Sequence, residues 1–167
     1  AFTFTPTFAG FVASIQNSLN TASTGTLTMR ETSGAATCNS TDGSGSSTNT
    51  ATCATINKYG GTTTTINLQN TGSTAATSFS LTPDACSQSA VAGSSMSGKA
   101  TDLCSKIKVT IKSGSSTIFT GTAAQLQTGG AIDLLAKLSK TSIAPNETVP
   151  VTFEVSLDAS ANATHQG

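Results

Sequence analysis

The chain has 167 residues, of which 36% are hydrophobic and 10% are charged, and its eight basic side chains balance eight acidic ones. Because a typical soluble domain carries about 25% charged residues, Ser and Thr must cover much of this surface. The absence of a basic or acidic run excludes nucleic acid as a partner, and the length fits one domain with at most a short arm. A nearly uncharged surface suits a protein that assembles, although it suits an ordinary secreted domain equally well.

The start of the chain and its hydropathy predict its compartment. The sequence begins at Ala1 without a Met and holds no apolar run long enough to span a bilayer. A removed signal peptide explains such a start. We therefore expect an extracellular protein that does not insert into a membrane in its mature form.

The first eleven residues are rich in phenylalanine and predict an aromatic β-strand arm, followed by a single domain over residues 12–167. Phe2, Phe4 and Phe8 share one parity, so they face one side of an extended segment. Chain termini usually carry little apolar mass, and this arm must pack in its own sheet or in that of a neighbouring copy. The second case would make it a donated strand. The expected donor-strand interface comprises Ala1, Phe2, Phe4, Phe8 and Phe11.

Alternation of apolar and polar residues, the pattern of half-buried antiparallel strands, recurs along the chain. It is clearest over residues 148–157, where Val149, Val151 and Phe153 share one face. Pro150 cannot donate a ladder hydrogen bond, so it should lie near the start of this strand or at a sheet edge. The other alternating segments are 24–31, 62–70, 77–82 and 106–113.

Two segments, 11–19 and 122–138, have apolar residues at helical spacing, and a Gly-Gly pair interrupts the second. Two polar stretches, 32–52 and 87–101, contain few apolar residues and predict long loops. Several strands joined by turn-rich links predict an all-β antiparallel sandwich with one or two short helices.

Four cysteines, Cys38, Cys53, Cys86 and Cys104, are widely spaced and include no CxxC pair, and His165 is the only histidine. Zinc sites use closely spaced Cys and His, so we expect disulfides in an oxidising compartment rather than a metal site. Four cysteines allow three connectivities. We favour Cys38–Cys53 and Cys86–Cys104, since each pair brackets a Ser/Gly-rich segment that looks like a loop in need of closure.

The sequence contains few residues and no motif that would support catalysis. A Ser/His/Asp arrangement would have to use His165, and no nucleophile elbow, HExxH helix, Walker loop or dinucleotide fingerprint accompanies it. Asp42 fits an Asx turn better than a calcium loop. Three lysines, Lys106, Lys108 and Lys112, share one face of a predicted strand; they could bind a polyanion, but a solvated or protected face is the better interpretation. We expect neither an enzyme nor a cofactor.

Three short motifs and the start of the chain occur in the same order as similar motifs in a known protein family. In segment 21–29 a small residue and Gly precede Thr-Leu; segment 66–73 is a strand that ends in Asn-Thr-Gly-Ser; segment 143–148 contains a Pro-Asn-Glu turn before a strand. With the Ala-Phe start, they resemble the TasA/camelysin family of secreted biofilm-matrix fibre proteins. Residues 102–126 are similar to its actinobacterial forms.

The resemblance implies a jelly-roll sandwich whose subunits polymerise head-to-tail when the N-terminal strand of one enters the sheet of the next. That strand would be residues 1–11, with Phe2, Phe4 and Phe8 as its anchors. The expected protein is a subunit of an extracellular filament, a biofilm-matrix fibre or pilus used in cell adhesion, and its partners are identical copies. Camelysins have been described as metalloproteases, but this chain has no zinc-ligand set.

A monomeric secreted sandwich that binds carbohydrate or a cell surface is the alternative. Its N-terminal strand would complete its own sheet. Sugar-binding sites usually need exposed aromatic rings, and this chain has no Trp and a single Tyr, Tyr59. The composition therefore disfavours this alternative.

Overall fold

Two antiparallel sheets face one another in the computed structural model, which describes residues 11–17, 26–40, 49–53, 63–86 and 103–161. The elements in chain order are β1 (Phe11–Asn17), β2 (Met29–Ser33), β3 (Ala36–Asn39), β4 (Asn49–Cys53), β5 (Thr63–Asn70), β6 (Ser78–Pro83), α1 (Leu103–Lys106), β7 (Ile107–Ser113), β8 (Ser116–Thr122), α2 (Ala123–Gly129), β9 (Ile132–Asp133), α3 (Leu134–Lys137) and β10 (Thr148–Leu157).

The small sheet has the strand order β4-β1-β6-β9, and the large sheet has the order β3-β2-β5-β10-β7-β8. Strand β1 is paired on both sides, so that Ala13 lies opposite Cys53 of β4 and opposite Leu81 of β6. The fold class expected from the sequence, an all-β antiparallel sandwich, is confirmed.

The core lies between the sheets and is built from alternating residues of each strand. In β10, Val149, Val151 and Phe153 are buried, whereas Pro150 between them is exposed and Thr152 is half-buried. Each large apolar side chain removed from water contributes about 1.5–3 kcal/mol. The other buried apolar side chains of the central strands are Ala13, Ile15, Met29, Ile66, Leu68, Phe79, Leu81, Ile107, Val109 and Ile111.

The position of Pro150 is explained by the pairing of β10. On one side Pro150 lies opposite Asn67 of β5, while the pairing with β7 on the other side begins only at Thr152. The missing proline N–H therefore falls near the start of the strand, as predicted.

The helical spacing over 122–138 corresponds to α2 and α3, and the Gly-Gly pair ends the first helix: Gly129 is the last residue of α2 and Gly130 is its C-cap. Helix α2 begins with a capping box, in which the hydroxyl of Thr122 accepts a hydrogen bond from the Gln125 N–H and the Gln125 side chain accepts one from the Thr122 N–H. Gly130 has φ of +68°, a conformation in which glycine is favoured.

Two sequence-based expectations about secondary structure were wrong. Residues 11–17, expected within a helix, form β1, in which Ala13 and Ile15 are buried and Ser14 and Gln16 are half-buried. Pairing with two neighbouring strands outweighs the helical spacing. The expected loop over 32–52 contains β3 and β4, which were missed because short edge strands need few inward apolar residues.

Candidate functional site

The aromatic arm joins the sandwich at the end of the small sheet. Phe11 is the first residue of β1 and lies opposite Pro83 of β6 in the same chain. The other four residues of the expected donor interface, Ala1, Phe2, Phe4 and Phe8, fall outside the described residues. Phe11 therefore belongs to a strand that is paired within the chain.

The outer edge of β6 carries only a short partner strand in the described structure. Strand β9 pairs with two residues of β6, Ser80 and Leu81, and an isolated bridge joins Ala76 to Ile143 further along this side. Next to β9, the buried Leu134 of α3 closes the core. Among the described residues, no other strand lies along this edge of the small sheet.

The described part of the first motif, residues 26–29, meets the second and third motifs at one end of the sandwich, around Asn70. The Asn70 side chain is 1% exposed. Its amide nitrogen donates to the carbonyls of Thr74, at 2.9 Å, and Ile143, at 3.1 Å, and its oxygen accepts from the N–H of Gly72, at 3.0 Å. One buried side chain thus hydrogen-bonds to backbone groups of two loops and joins them, and the Ile143 carbonyl also accepts from the N–H of Ala76 at 2.9 Å.

Gly72 is required because the first motif runs directly beside it. A Cβ at Gly72 would lie 2.2 Å from the carbonyl oxygen of Thr26, a backbone atom. The flanking residues hold this close approach: Thr71 N–H donates to the Thr28 carbonyl at 2.8 Å, and Ser73 N–H donates to the Thr26 carbonyl at 2.9 Å. The Asn-Thr-Gly-Ser sequence is therefore explained by packing.

The third motif is closed by Glu147. Its carboxylate forms an ion pair with Lys140 and accepts a hydrogen bond from the Ala144 N–H at 2.8 Å. The pKa of Glu147 is held below its ordinary value, first by the hydrogen bond from Lys140 and second by the hydrogen bond from the Ala144 N–H. Asn146 has φ of +65°, which Asn tolerates better than most residues, and its N–H donates to the Asn70 carbonyl at 2.7 Å.

The predicted disulfide between Cys86 and Cys104 is confirmed, with an S–S distance of 2.16 Å. Cys86 follows β6 of the small sheet, and Cys104 lies in α1, directly before β7 of the large sheet. The bond ties the two sheets together at the end where Phe11 and Pro83 lie. Disulfides of this kind are typical of proteins from oxidising compartments.

The second predicted disulfide is not formed, since Cys38 and Cys53 are both free thiols in the structure. Burial first, and then interactions with the neighbouring Cys38 thiol and the nearby charge of Glu31, raise the pKa of Cys53. Glu31 is 2% exposed and was not predicted as a buried residue, although its parity with Leu27 and Met29 places it on the inward face.

The three-lysine face is engaged by neighbouring side chains. Lys108 pairs with Asp158 at 3.3 Å, Lys112 pairs with Glu154 at 3.7 Å, and Lys106 donates to the hydroxyl of Ser160 at 2.9 Å. Hydrogen bonds from Ser160, and then one from Lys108, lower the pKa of Asp158. These contacts support a solvated strand face.

His165 and Asp42 lie outside the described residues. Within the ranges that the structure describes, no group of His, Cys, Asp and Glu side chains could hold a metal ion, and no helix is long and apolar enough to cross a membrane. Comparison with known protein families, with curated proteins and with solved structures finds no match for this chain. Its function is therefore inferred from its own residues.

Proposed function

We propose that this protein is a structural subunit of an extracellular filament, such as a biofilm-matrix fibre, that polymerises head-to-tail when the arm of one copy enters a sheet of the next. Its partners are identical subunits, and no catalysis is involved. The observation that carries the proposal is the short β9 at the outer edge of the small sheet. Among the described residues, it pairs with two residues of the six-residue β6, and a sheet edge that is incompletely paired is where an added strand binds through main-chain hydrogen bonds.

The attachment point of the arm supports the same role. Residues 1–10 precede a strand that already has neighbours on both sides, so β1 itself needs no further partner. Burying the side chains of Phe2, Phe4 and Phe8 in a neighbouring subunit would contribute about 1.5–3 kcal/mol each, before the cost of association. Head-to-tail contacts of this kind do not close into a dimer, and they generate a filament.

The surface charge and the disulfide fit a secreted, assembling subunit. Eight basic and eight acidic residues leave the chain without net charge, so copies do not repel one another. The Cys86–Cys104 bond would form on export to an oxidising compartment. It would stabilise each subunit outside the cell.

Negative-stain electron microscopy of three purified proteins tests the proposal. They are the wild type, a variant lacking residues 1–10, and the full-length triple variant Phe2→Ser, Phe4→Ser, Phe8→Ser. We expect filaments from the wild type alone. The deletion stops before Phe11 because that residue belongs to β1, and both variants should keep the circular-dichroism spectrum of a folded sandwich.

A peptide of residues 1–10 added to the deletion variant separates a donated strand from a strand that folds back on its own sheet. In either case the peptide should bind with one-to-one stoichiometry and raise the melting temperature, and a scrambled peptide should do neither. Donation additionally requires that the wild type be polymeric. Monodisperse wild type across pH and concentration, together with peptide binding, would instead favour the monomeric carbohydrate- or surface-binding module.

A further inference from the structure

Strands β3 and β4 bring two thiols together at one side of the sandwich. Strand β3 is an edge of the large sheet and β4 is an edge of the small sheet, and β2, the neighbour of β3, lies in contact with β4. Cys38 of β3 and Cys53 of β4 are both free thiols; Cys53 belongs to the core between the sheets and Cys38 packs against that core. The two thiols are thus neighbours that belong to different sheets.

The two thiols differ in their access to solvent. Cys53 is fully buried, at 0% exposure, and belongs to the core, whereas Cys38 is partly exposed and packs against the core from outside. Cys38 Sγ also donates to the Asn39 carbonyl at 3.9 Å. A reagent that approaches from solvent therefore meets Cys38 first.

We propose that Cys38 and Cys53 form a redox-active pair, in which a small-molecule disulfide reacts first with Cys38 and the buried Cys53 then closes a bond between the two sheets. This pair is distinct from Cys86–Cys104, which is already bonded in the same structure. The proposal is independent of filament formation, because it concerns a single subunit.

The chemistry is thiol–disulfide exchange with an oxidised low-molecular-weight disulfide. The Cys38 thiol gives its proton to solvent, and its sulfur attacks one sulfur of the reagent; the reagent S–S bond breaks and the departing thiolate takes up a proton. The Cys53 sulfur then attacks Cys38 Sγ and releases the second reagent thiolate, which accepts the Cys53 proton. The two protein thiols are oxidised and one reagent disulfide is reduced to two thiols.

The surroundings of Cys53 explain why it would act second. Burial and the carboxyl group of Glu31, which is opposite Cys38 on β2, raise the pKa of Cys53. The thiolate is the attacking species in exchange, so Cys53 is a poor first nucleophile. Once Cys38 carries the reagent, Cys53 is a neighbouring thiol of the same chain, which makes the second step intramolecular.

Closure should stabilise the subunit measurably. A bond between these residues closes a loop of about 15 residues and restricts the unfolded chain. For a chain of this size, the melting temperature should rise on the order of 10 °C. The rise should appear on oxidation and disappear on mild reduction that leaves Cys86–Cys104 intact.

The test is incubation of the full-length protein with oxidised glutathione, followed by mass spectrometry of the intact protein and of non-reduced peptides. Wild type should gain one glutathione, then lose it as a Cys38–Cys53 linked peptide appears. Cys53→Ala should stop at the glutathione adduct on Cys38, and Cys38→Ala should stay unmodified. The melting temperature should rise in the wild type alone.

Two results would overturn the proposal. One is a wild type that keeps both thiols free in excess oxidised glutathione while Cys86–Cys104 remains bonded. The other is equal modification of the Cys38→Ala and Cys53→Ala variants, which would mean that the buried thiol is not protected. Both variants are compared at a temperature where circular dichroism shows them folded, so that exposure by unfolding is not counted as reactivity.

Discussion

The side-chain amide of Asn70 donates a hydrogen bond to the backbone carbonyl of Ile143, which lies 73 positions further along the chain. This contact joins the end of β5 to the turn before β10, two strands that pair in the large sheet. A buried amide with three backbone partners fixes where both loops run. The motif around Asn70 thus holds two loops together at one end of the sandwich.

Replacement of Asn70 by Ala should destabilise the protein by about 3 kcal/mol, because it removes three hydrogen bonds and leaves the N–H of Gly72 and the carbonyl of Thr74 without their partner, while the Ile143 carbonyl keeps only the N–H of Ala76. The measurement is the midpoint of urea denaturation at unchanged slope. Asn67→Ala is the matched control: Asn67 lies on the exposed face of the same strand, and its loss should change stability by less than about 0.5 kcal/mol. Equal effects of the two variants would contradict the assigned role.

Gly72→Ala should also destabilise, by about 3 kcal/mol, since the new methyl group meets the Thr26 carbonyl oxygen, a backbone atom that cannot move aside alone. Gly129→Ala serves as its control. No atom lies within 4 Å of a Cβ at that position in the last turn of α2, so stability should stay the same or rise by about 0.5–1 kcal/mol. Thermal melting, monitored by circular dichroism, measures the stability of both variants and distinguishes them.

Glu147 should make the fold sensitive to acid. Its pKa is lowered in the folded state by Lys140 and by the Ala144 N–H, so its contribution is present above its ordinary value of 4.5 and is lost as the pH falls through the folded pKa. Glu147→Gln should weaken the fall in stability below pH 4.5 and lower stability at neutral pH. Both side chains are about one-third exposed, at 28% and 35%, so solvent screening keeps the effect modest.

Glu154→Gln is the comparison for the neutral-pH measurement. Its ion pair with Lys112 joins two side chains that are nearly half exposed, and such surface pairs contribute about 0–1 kcal/mol. A loss from Glu154→Gln as large as that from Glu147→Gln would show that the ion pair of Glu147 with Lys140 contributes no more than an exposed surface pair.

Thr122→Ala should cost about 1 kcal/mol, because it removes the capping hydroxyl of α2. The Gln125 N–H would then lose its acceptor. Thr120→Ala, two residues earlier on the exposed face of β8, should be close to neutral. Urea denaturation of both variants, each compared with wild type, measures the difference; a neutral Thr122→Ala would mean that α2 does not depend on its cap.

Local sequence patterns predicted the central strands well. They failed for segments whose secondary structure is determined by pairing with neighbouring strands. Alternation identified β5, β7 and β10 because each buries one face along its length. Segment 11–19 matched helical spacing equally well, and only the two flanking strands make residues 11–17 a strand. The edge strands β3 and β4 are short and polar, so no run of inward apolar residues marks them.

The candidate site was predictable only in part, for the same reason. The pairing of Cys86 with Cys104 followed from the segment they bracket, and the inward position of Glu31 could have been found from its parity with Met29. The convergence of three loops on Asn70 depends on contacts between residues far apart in the chain. No pattern of spacing along the sequence shows that Gly72 must pass beside Thr26.

The double pairing of β1 has a mechanical consequence. A force that pulls on residue 10 enters the sandwich at Phe11, along the axis of a strand held by β4 on one side and β6 on the other. Since the hydrogen bonds of an antiparallel ladder are perpendicular to the strands, such a pull loads both ladders in shear, and many bonds must break together. The covalent link between Cys86 and Cys104 lies near the same end, so tension arriving there is shared with the large sheet rather than peeling β1 away one bond at a time.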